Sequence, residues 1–187
     1  MERGRFRCHH FGAPARHNGM VMTCSQCGFT YGAHPRTEVA VEIERYGTEF
    51  ARRMGRDTHL LRFRPAADVW SALEYACHVR DVLLMQRDRL YVALVEDTPS
   101  FKPMYREERV SFDRYQDQDP SYVAVQIVMA ARLFVNGLDG LSALQWRRPL
   151  MYGYPEPQQR DVEWMAHHTL HEAVHHLGDV DRQLKAA

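Results

Sequence analysis

Four long stretches between Thr37 and Leu184 return apolar residues at helical spacing, and nowhere does the chain show the two-residue alternation that would call for a sheet. This pattern limits the chain to helices packed against helices. Thr37 is placed to cap the first stretch, which carries Glu38 in its first turn and Val39, Val41, Ile43 and Phe50 along it to Met54. Ser71-Ala72-Leu73-Glu74 is a capping box that opens a second helix running to about Glu96. Asp119-Pro120 supplies a cap and a proline at the first helical position for a third, Ser121 to Leu138, and the last runs from Asp161 to Leu184. The expected fold is all-α, a four-helix bundle.

The connection between the second and third helices is ~22 residues long and holds two prolines and many charges. At ~3.3 Å per residue it can cross the full length of a bundle and join two parallel helices. Residues 140–157, with Gly140, Pro149, Gly153, Pro155 and Pro157, read as loop.

Residues 1–36 follow another grammar. They hold five arginines against one acid, Glu2, and enough glycine and proline to break any period, so two units are expected: an irregular segment at 1–36 and a bundle at 37–187. The whole chain of 187 residues balances 24 Lys+Arg against 24 Asp+Glu. A basic excess is the usual footprint of a nucleic-acid or anionic-membrane binder, and its lack argues against both. With no long uninterrupted apolar run and no apolar signal core at the start, a cytoplasmic location is expected, in which the four cysteines are metal ligands or free thiols rather than disulfides.

Within the 1–36 segment, Cys24-Ser25-Gln26-Cys27-Gly28 is a C-x-x-C-G turn able to grip one zinc. Cys8 is placed to add a third ligand and His10 a fourth, with His9, His17 and His34 as alternatives. A segment so poor in apolar residues needs such a structural Zn²⁺ to become ordered.

The chain has 11 histidines, and five of them, His167, His168, His171, His175 and His176, fall together near the end. His171-Glu172-Ala173-Val174-His175 spells the zincin motif, two metal-binding histidines with a glutamate base between them. On a helical wheel at ~100° per residue, however, Val162, Ala166, Thr169, Ala173, Leu177, Val180 and Leu184 form the core stripe. Glu172 and His176 lie on its flank, beside Met165 and Asp179, while His171 and His175 point away, toward solvent or the N-terminal segment. A metal inside the bundle is therefore reached by Glu172 and His176, and His78, in mid-helix, is the natural third ligand. Glu74 and Asp81, one turn to either side of it, are candidate acceptors for its other ring nitrogen.

Trp70-Ser71-Ala72-Leu73-Glu74-Tyr75-Ala76-Cys77-His78-Val79-Arg80-Asp81, taken with His171-Glu172-Ala173-Val174-His175-His176-Leu177-Gly178-Asp179, resembles the DinB superfamily over roughly residues 37–185. The resemblance implies a crossover four-helix bundle with a divalent metal held by one histidine of the second helix and two residues four apart on the last. Many members use two histidines there. The mycothiol-dependent branch, which includes a maleylpyruvate isomerase, uses glutamate then histidine, and Glu172-x-x-x-His176 followed by Asp179 is similar to that form.

His78, Glu172 and His176 are thus the expected ligands of Zn²⁺ or another divalent metal. The resemblance implies a thiol-dependent transferase or isomerase that uses a metal-activated thiolate, with mycothiol or a similar low-molecular-weight thiol and a small-molecule substrate as partners. Two other readings stay open, a non-catalytic metal-stabilised binding or regulatory protein and a zincin-like hydrolase built on His171, Glu172 and His175; a homo-oligomer is open as well. Around the site, Tyr105, Trp146, Tyr152 and Tyr154 are candidates for a pocket mouth. Arg106, Arg109, Arg147 and Arg148 are candidates for meeting an anionic substrate.

Overall fold

In the computed structural model, which describes residues 22–153 and 156–187, all four expected helices form, and local chemistry sets where each begins. The first, α1 (Arg36–Met54), starts one residue before the expected cap. Pro35, with its fixed φ, takes the cap position, and its carbonyl accepts from the backbone N–H of Glu38 (2.9 Å) and Val39 (3.2 Å), so Thr37 lies inside the helix. After a short helix α2 (Thr58–Arg62), Ser71 caps α3 (Ala72–Val95) with both arms of the capping box made. Its hydroxyl accepts from Glu74 N, and the Glu74 carboxylate accepts from Ser71 N at 2.8 Å. Asp119 caps α5 (Pro120–Leu138), accepting from Ser121 N at 2.7 Å, with Pro120 in the first turn. Asp161 caps α7 (Val162–Ala186) through Trp164 N. Between α3 and α5 lie β1 (Ser100–Phe101), α4 (Arg106–Phe112) and a 3-10 turn; between α5 and α7 lie α6 (Ala143–Trp146), β2 (Pro149–Tyr152) and β3 (Gln158–Asp161).

Each long helix packs on two others: α1 and α3 both touch α5 and α7, so they sit diagonally across the bundle. Ion pairs fix the directions. Arg36 meets Glu163 at 2.7 Å and Arg53 meets Asp181 at 2.8 Å, so α1 and α7 run parallel. Arg80 donates to Gln126 at 2.7 Å, and about three turns further on Leu90 fills the space beside Gly137, so α3 and α5 run parallel too. The segment between α3 and α5 is therefore the expected crossover. On the other side α1 and α5 approach closely, since a Cβ on Gly47 would stand 3.0 Å from Ala131 Cβ. Pro120–Leu138 has the length and apolar composition of a membrane span; in the bundle one face of it, with Val123, Ile127, Ala130 and Phe134, is buried in the core.

The small sheet is a departure from the all-helical expectation. It runs in the order β1-β2-β3, with β1 parallel and β3 antiparallel to β2; Ser100 faces Met151, and Leu150 faces Arg160. Only Leu150 and Tyr152 of β2 are buried, and one alternation across four residues is too short to stand out in a sequence. The sheet lies where α3 ends and α7 begins, with Arg148 donating to the carbonyls of Ala93 and Glu96, and it delivers Tyr152 to the space between those helices.

Candidate metal centres on the last helix

The expected core stripe of α7 is buried from Val162 through Val180. On its flank, Glu172 and His176 turn toward α3 and meet His78. Glu172 Oε2 lies 3.5 Å from His78 Nε2 and 3.4 Å from His176 Nε2, and the two imidazoles stand edge to face with centroids 4.8 Å apart. One ligand atom from each of the three lies within 4.8 Å of the others. An ion with metal–nitrogen and metal–oxygen bonds of ~2.0–2.2 Å has tetrahedral edges of about 3.4 Å, so the donors are nearly at coordinating separation.

The donor set fits a divalent cation on a second count. His78 is 1% exposed, and neither ring nitrogen has a hydrogen-bond partner among the described residues. A buried imidazole left so costs a few kcal/mol unless something else accepts its lone pair. The neighbours expected to orient it are engaged elsewhere. Glu74 closes the α3 capping box and pairs with Arg64, and Asp81 accepts from Arg80 Nε at 2.8 Å and from the Tyr115 hydroxyl at 2.6 Å. Ring contacts hold His78 instead, with Trp70 at 5.3 Å and His176 behind it. Asp179 does orient one of the expected ligands: its Oδ2 accepts from His176 Nδ1 at 2.7 Å, which leaves Nε2 facing Glu172.

Charge follows this geometry. Burial holds His78 below the usual imidazole range and therefore neutral. Burial opposes ionisation of Glu172 as well, but the adjacent His176 and His78 hold its carboxyl well below the usual range. Burial would also depress His176, yet Asp179 and Glu172 outweigh it and push it up to about 9. An ion entering this centre therefore displaces one proton, from His176. The apparent association constant for a divalent ion should rise ~10-fold per pH unit through neutrality and level off near the His176 value; competition titrations against a chelator across that range check this, and a flat profile would refute it.

The centre opens on a cleft of about 240 Å³ between α3 and α7, walled by Val82, Met85, Met104, Tyr152 and the start of α4. Of the aromatic candidates, Tyr105 and Tyr152 line it, Trp146 packs beneath Arg36 away from it, and Tyr154 falls outside the described residues. Arg106 lines the cleft. Arg109, Arg147 and Arg148 do not; they pair with Asp81, with Asp161 and Glu163, and with Asp97. Sequence reasoning passed over Arg89, which is buried at the cleft wall, donating to the Tyr152 hydroxyl at 3.1 Å and to the Lys102 carbonyl. Its position three turns beyond His78 on the same helix was the available signal.

His171 and His175 face the N-terminal segment, where one ligand atom from each lies within 4.8 Å of those of Cys24 and Cys27. Burial and the neighbouring Cys24 push the Cys27 thiol up to about 11. Cys8 and His10 lie outside the described residues. His34, an alternative fourth ligand, is not in that group; its ring stacks on Phe29 with centroids 5.7 Å apart. The zincin arrangement does not form: Glu172 is aimed at His78 and His176 while His171 and His175 meet two cysteines.

A family model described as the DinB superfamily matches residues 48–180. The chain belongs to the DinB superfamily. A solved structure described as YfiT from Bacillus subtilis, a probable metal-dependent hydrolase with an unusual four-helix bundle topology, superposes with a TM-score of 0.68 at 15% identity, over 80% of this chain and 87% of that one. At that identity the likeness is one of fold. No functionally curated protein matches the chain. Together these comparisons support a DinB-like four-helix bundle, and the family match begins within α1, leaving the cysteine turn outside it.

Proposed function

We propose that this DinB-superfamily protein is an enzyme in which His78, Glu172 and His176 hold a divalent ion at the floor of the α3–α7 cleft, and that a low-molecular-weight thiol of the mycothiol kind acts there on a small anionic substrate. The observation that carries this reading is the buried His78 ring, whose Nε2 faces the Glu172 carboxylate at 3.5 Å with the His176 imidazole beside it at the edge of a cleft. Three donors from the chain leave room for an exogenous ligand, whereas a purely structural centre normally has four. When bound, the ion supplies positive charge that favours the deprotonated form of a thiol or water near neutral pH.

The chain's own residues do the rest. Asp179 holds the His176 ring in one tautomer. Val82, Met85 and Met104 keep the cleft wall apolar, which strengthens charge interactions inside it. Arg89 has no carboxylate partner among the described residues and lines the cleft, where its guanidinium, its basicity lowered by burial, is placed to anchor a substrate carboxylate. The resemblance of Glu172-x-x-x-His176 to the form used in the mycothiol-dependent branch supports a thiol as nucleophile. A second reading, hydrolysis with water in the thiol's place, draws support from the description of the Bacillus subtilis neighbour and uses the same residues.

Calorimetry of thiol addition to the metal-loaded protein, run in two buffers of different ionisation enthalpy, separates the two. The thiol reading expects binding with release of ~1 proton per thiol. Lack of binding at millimolar thiol, with the bundle metal present, would reject it in favour of hydrolysis.

A further inference from the structure

We infer that Cys24, Cys27, His171 and His175 form a second metal centre, a closed tetrahedral Zn²⁺ site that clamps the N-terminal turn onto α7. This inference does not depend on the proposed function, because it concerns other residues and has no open position.

The turn is shaped before any ion arrives. Cys24 N donates to the Phe29 carbonyl (2.8 Å), Gly28 N donates to the Cys24 carbonyl (2.9 Å), and Tyr31 N donates to the Met22 carbonyl (2.8 Å). These bonds fold residues 22–31 into a tight hairpin with both cysteines at its tip. Gly28 sits at φ +74°, a left-handed conformation that a side chain would strain, and this reversal lets the two thiols face the same way.

The opposite half of the site comes from the helix. His171 and His175 are one turn apart and both are buried, at 1% and 7% exposure. Cys24 Sγ lies 3.9 Å from His175 Nδ1. Zinc–sulfur and zinc–nitrogen bonds of ~2.3 and ~2.0 Å give tetrahedral edges of about 3.3–3.8 Å. The Cys24–His175 edge therefore needs to close by only a few tenths of an ångström, and no edge by more than about 1.5 Å. Two thiols and two imidazoles with no carboxylate are a donor set that selects Zn²⁺ over the harder Mg²⁺ or Ca²⁺.

Outer partners support the same assignment. The Tyr31 hydroxyl is 3.2 Å from His171 Nδ1, so Nε2 is the nitrogen that takes the ion. Asp179 Oδ2 is 3.7 Å from His175 Nε2, which points the His175 Nδ1 toward the cysteines. The turn also docks on α7 through Phe29, 5.3 Å from the His171 ring, and through Tyr31, which stacks on Trp164 and whose hydroxyl lies 2.9 Å from His168 Nδ1, so the four donors are brought together by contacts that do not need the ion. Two i,i+4 pairs thus interleave on α7, His171 with His175 and Glu172 with His176, offset by ~100° around the helix. One pair faces the turn and the other faces His78. Asp179 touches a histidine of each, so a zinc on the outer pair also fixes the roll of the helix that presents the inner pair.

The test is zinc stoichiometry and cobalt spectroscopy on the full-length protein prepared under reductant. Cys24→Ser/Cys27→Ser and His171→Ala/His175→Ala should each lose one equivalent of zinc, and each should abolish the thiolate-to-cobalt absorption of the Co²⁺-substituted protein. His78→Ala should keep that absorption. Cys8→Ser should keep both the absorption and the zinc. In hydrogen exchange, residues 22–35 should lose protection in the two double variants while α3 and α5 retain theirs. Thiolate-to-cobalt absorption that survives His171→Ala/His175→Ala, or that disappears in Cys8→Ser, would overturn the ligand set. Should the double variants fail to fold, a thiol-modifying reagent added to the wild-type protein should release one equivalent of zinc, and release of none would overturn the clamp itself.

Discussion

Replacing His78 with alanine is expected to empty the bundle centre while the helices stay folded. His78 makes no hydrogen bond to a described residue that the change would break, so the structural loss is confined to a cavity between Trp70 and His176. The loss of metal should be far larger. Removing even an outer partner of a ligand typically weakens a metal site 10–100-fold, and removing one of three direct ligands should exceed ~100-fold, or about 2.7 kcal/mol. A graded series follows from the geometry. His176→Ala and Glu172→Gln should behave like His78→Ala, while Asp179→Asn, which removes the acceptor 2.7 Å from His176 Nδ1, should fall in the 10–100-fold range. Metal analysis after dialysis against micromolar ion, with circular dichroism to certify the fold, reads the series. A folded His78→Ala protein that keeps its full bundle equivalent would refute the assignment.

The opposite balance is expected at Asp81, one turn along the same helix. Asp81 and Arg80 are both buried, at 7% and 8% exposure, and Asp81 also takes the hydroxyl of the fully buried Tyr115, whose phenol is raised well above its ordinary range by burial and by that carboxylate. Asp81→Ala leaves the Arg80 charge facing only the amide oxygens of Gln118 and Gln126. Stranding one partner of a buried ion pair costs about 3–5 kcal/mol, which in a chain of this size lowers the melting temperature by roughly 6–20 °C. Metal content should not change, since Asp81 belongs to the joint between α3 and the crossover. A metal loss comparable to that of His78→Ala would instead make Asp81 the outer partner of His78.

The contrast between these neighbours shows where local pattern stops being informative. Glu74 and Asp81 stand one turn either side of His78, and spacing alone makes them equally suited to hold its ring. Their actual partners, Arg64 for one and Arg80 and Tyr115 for the other, are chosen by which segments fold against that face of α3. Likewise the wheel separated the two pairs on α7 correctly as to direction, with Glu172 and His176 turned to the bundle and His171 and His175 toward the N-terminal segment. It carried no information on what would meet the second pair.

The sequence by itself determined the four helices and most of their ends, because capping side chains, proline and apolar spacing act within a few residues of where they stand. It also showed that the segment between α3 and α5 is long enough to cross the bundle, and it brought His78, Glu172 and His176 under consideration as one set. Only the tertiary structure decided the small sheet, the place of Arg89 and Tyr152 at the cleft, and the meeting of Cys24 with His175, which lie 151 residues apart. The physical reason is range. Helix formation is written in contacts three and four residues apart, whereas a strand pair of two residues, a buried guanidinium or a four-donor cluster exists only once distant segments have been packed together, and no local periodicity records that packing.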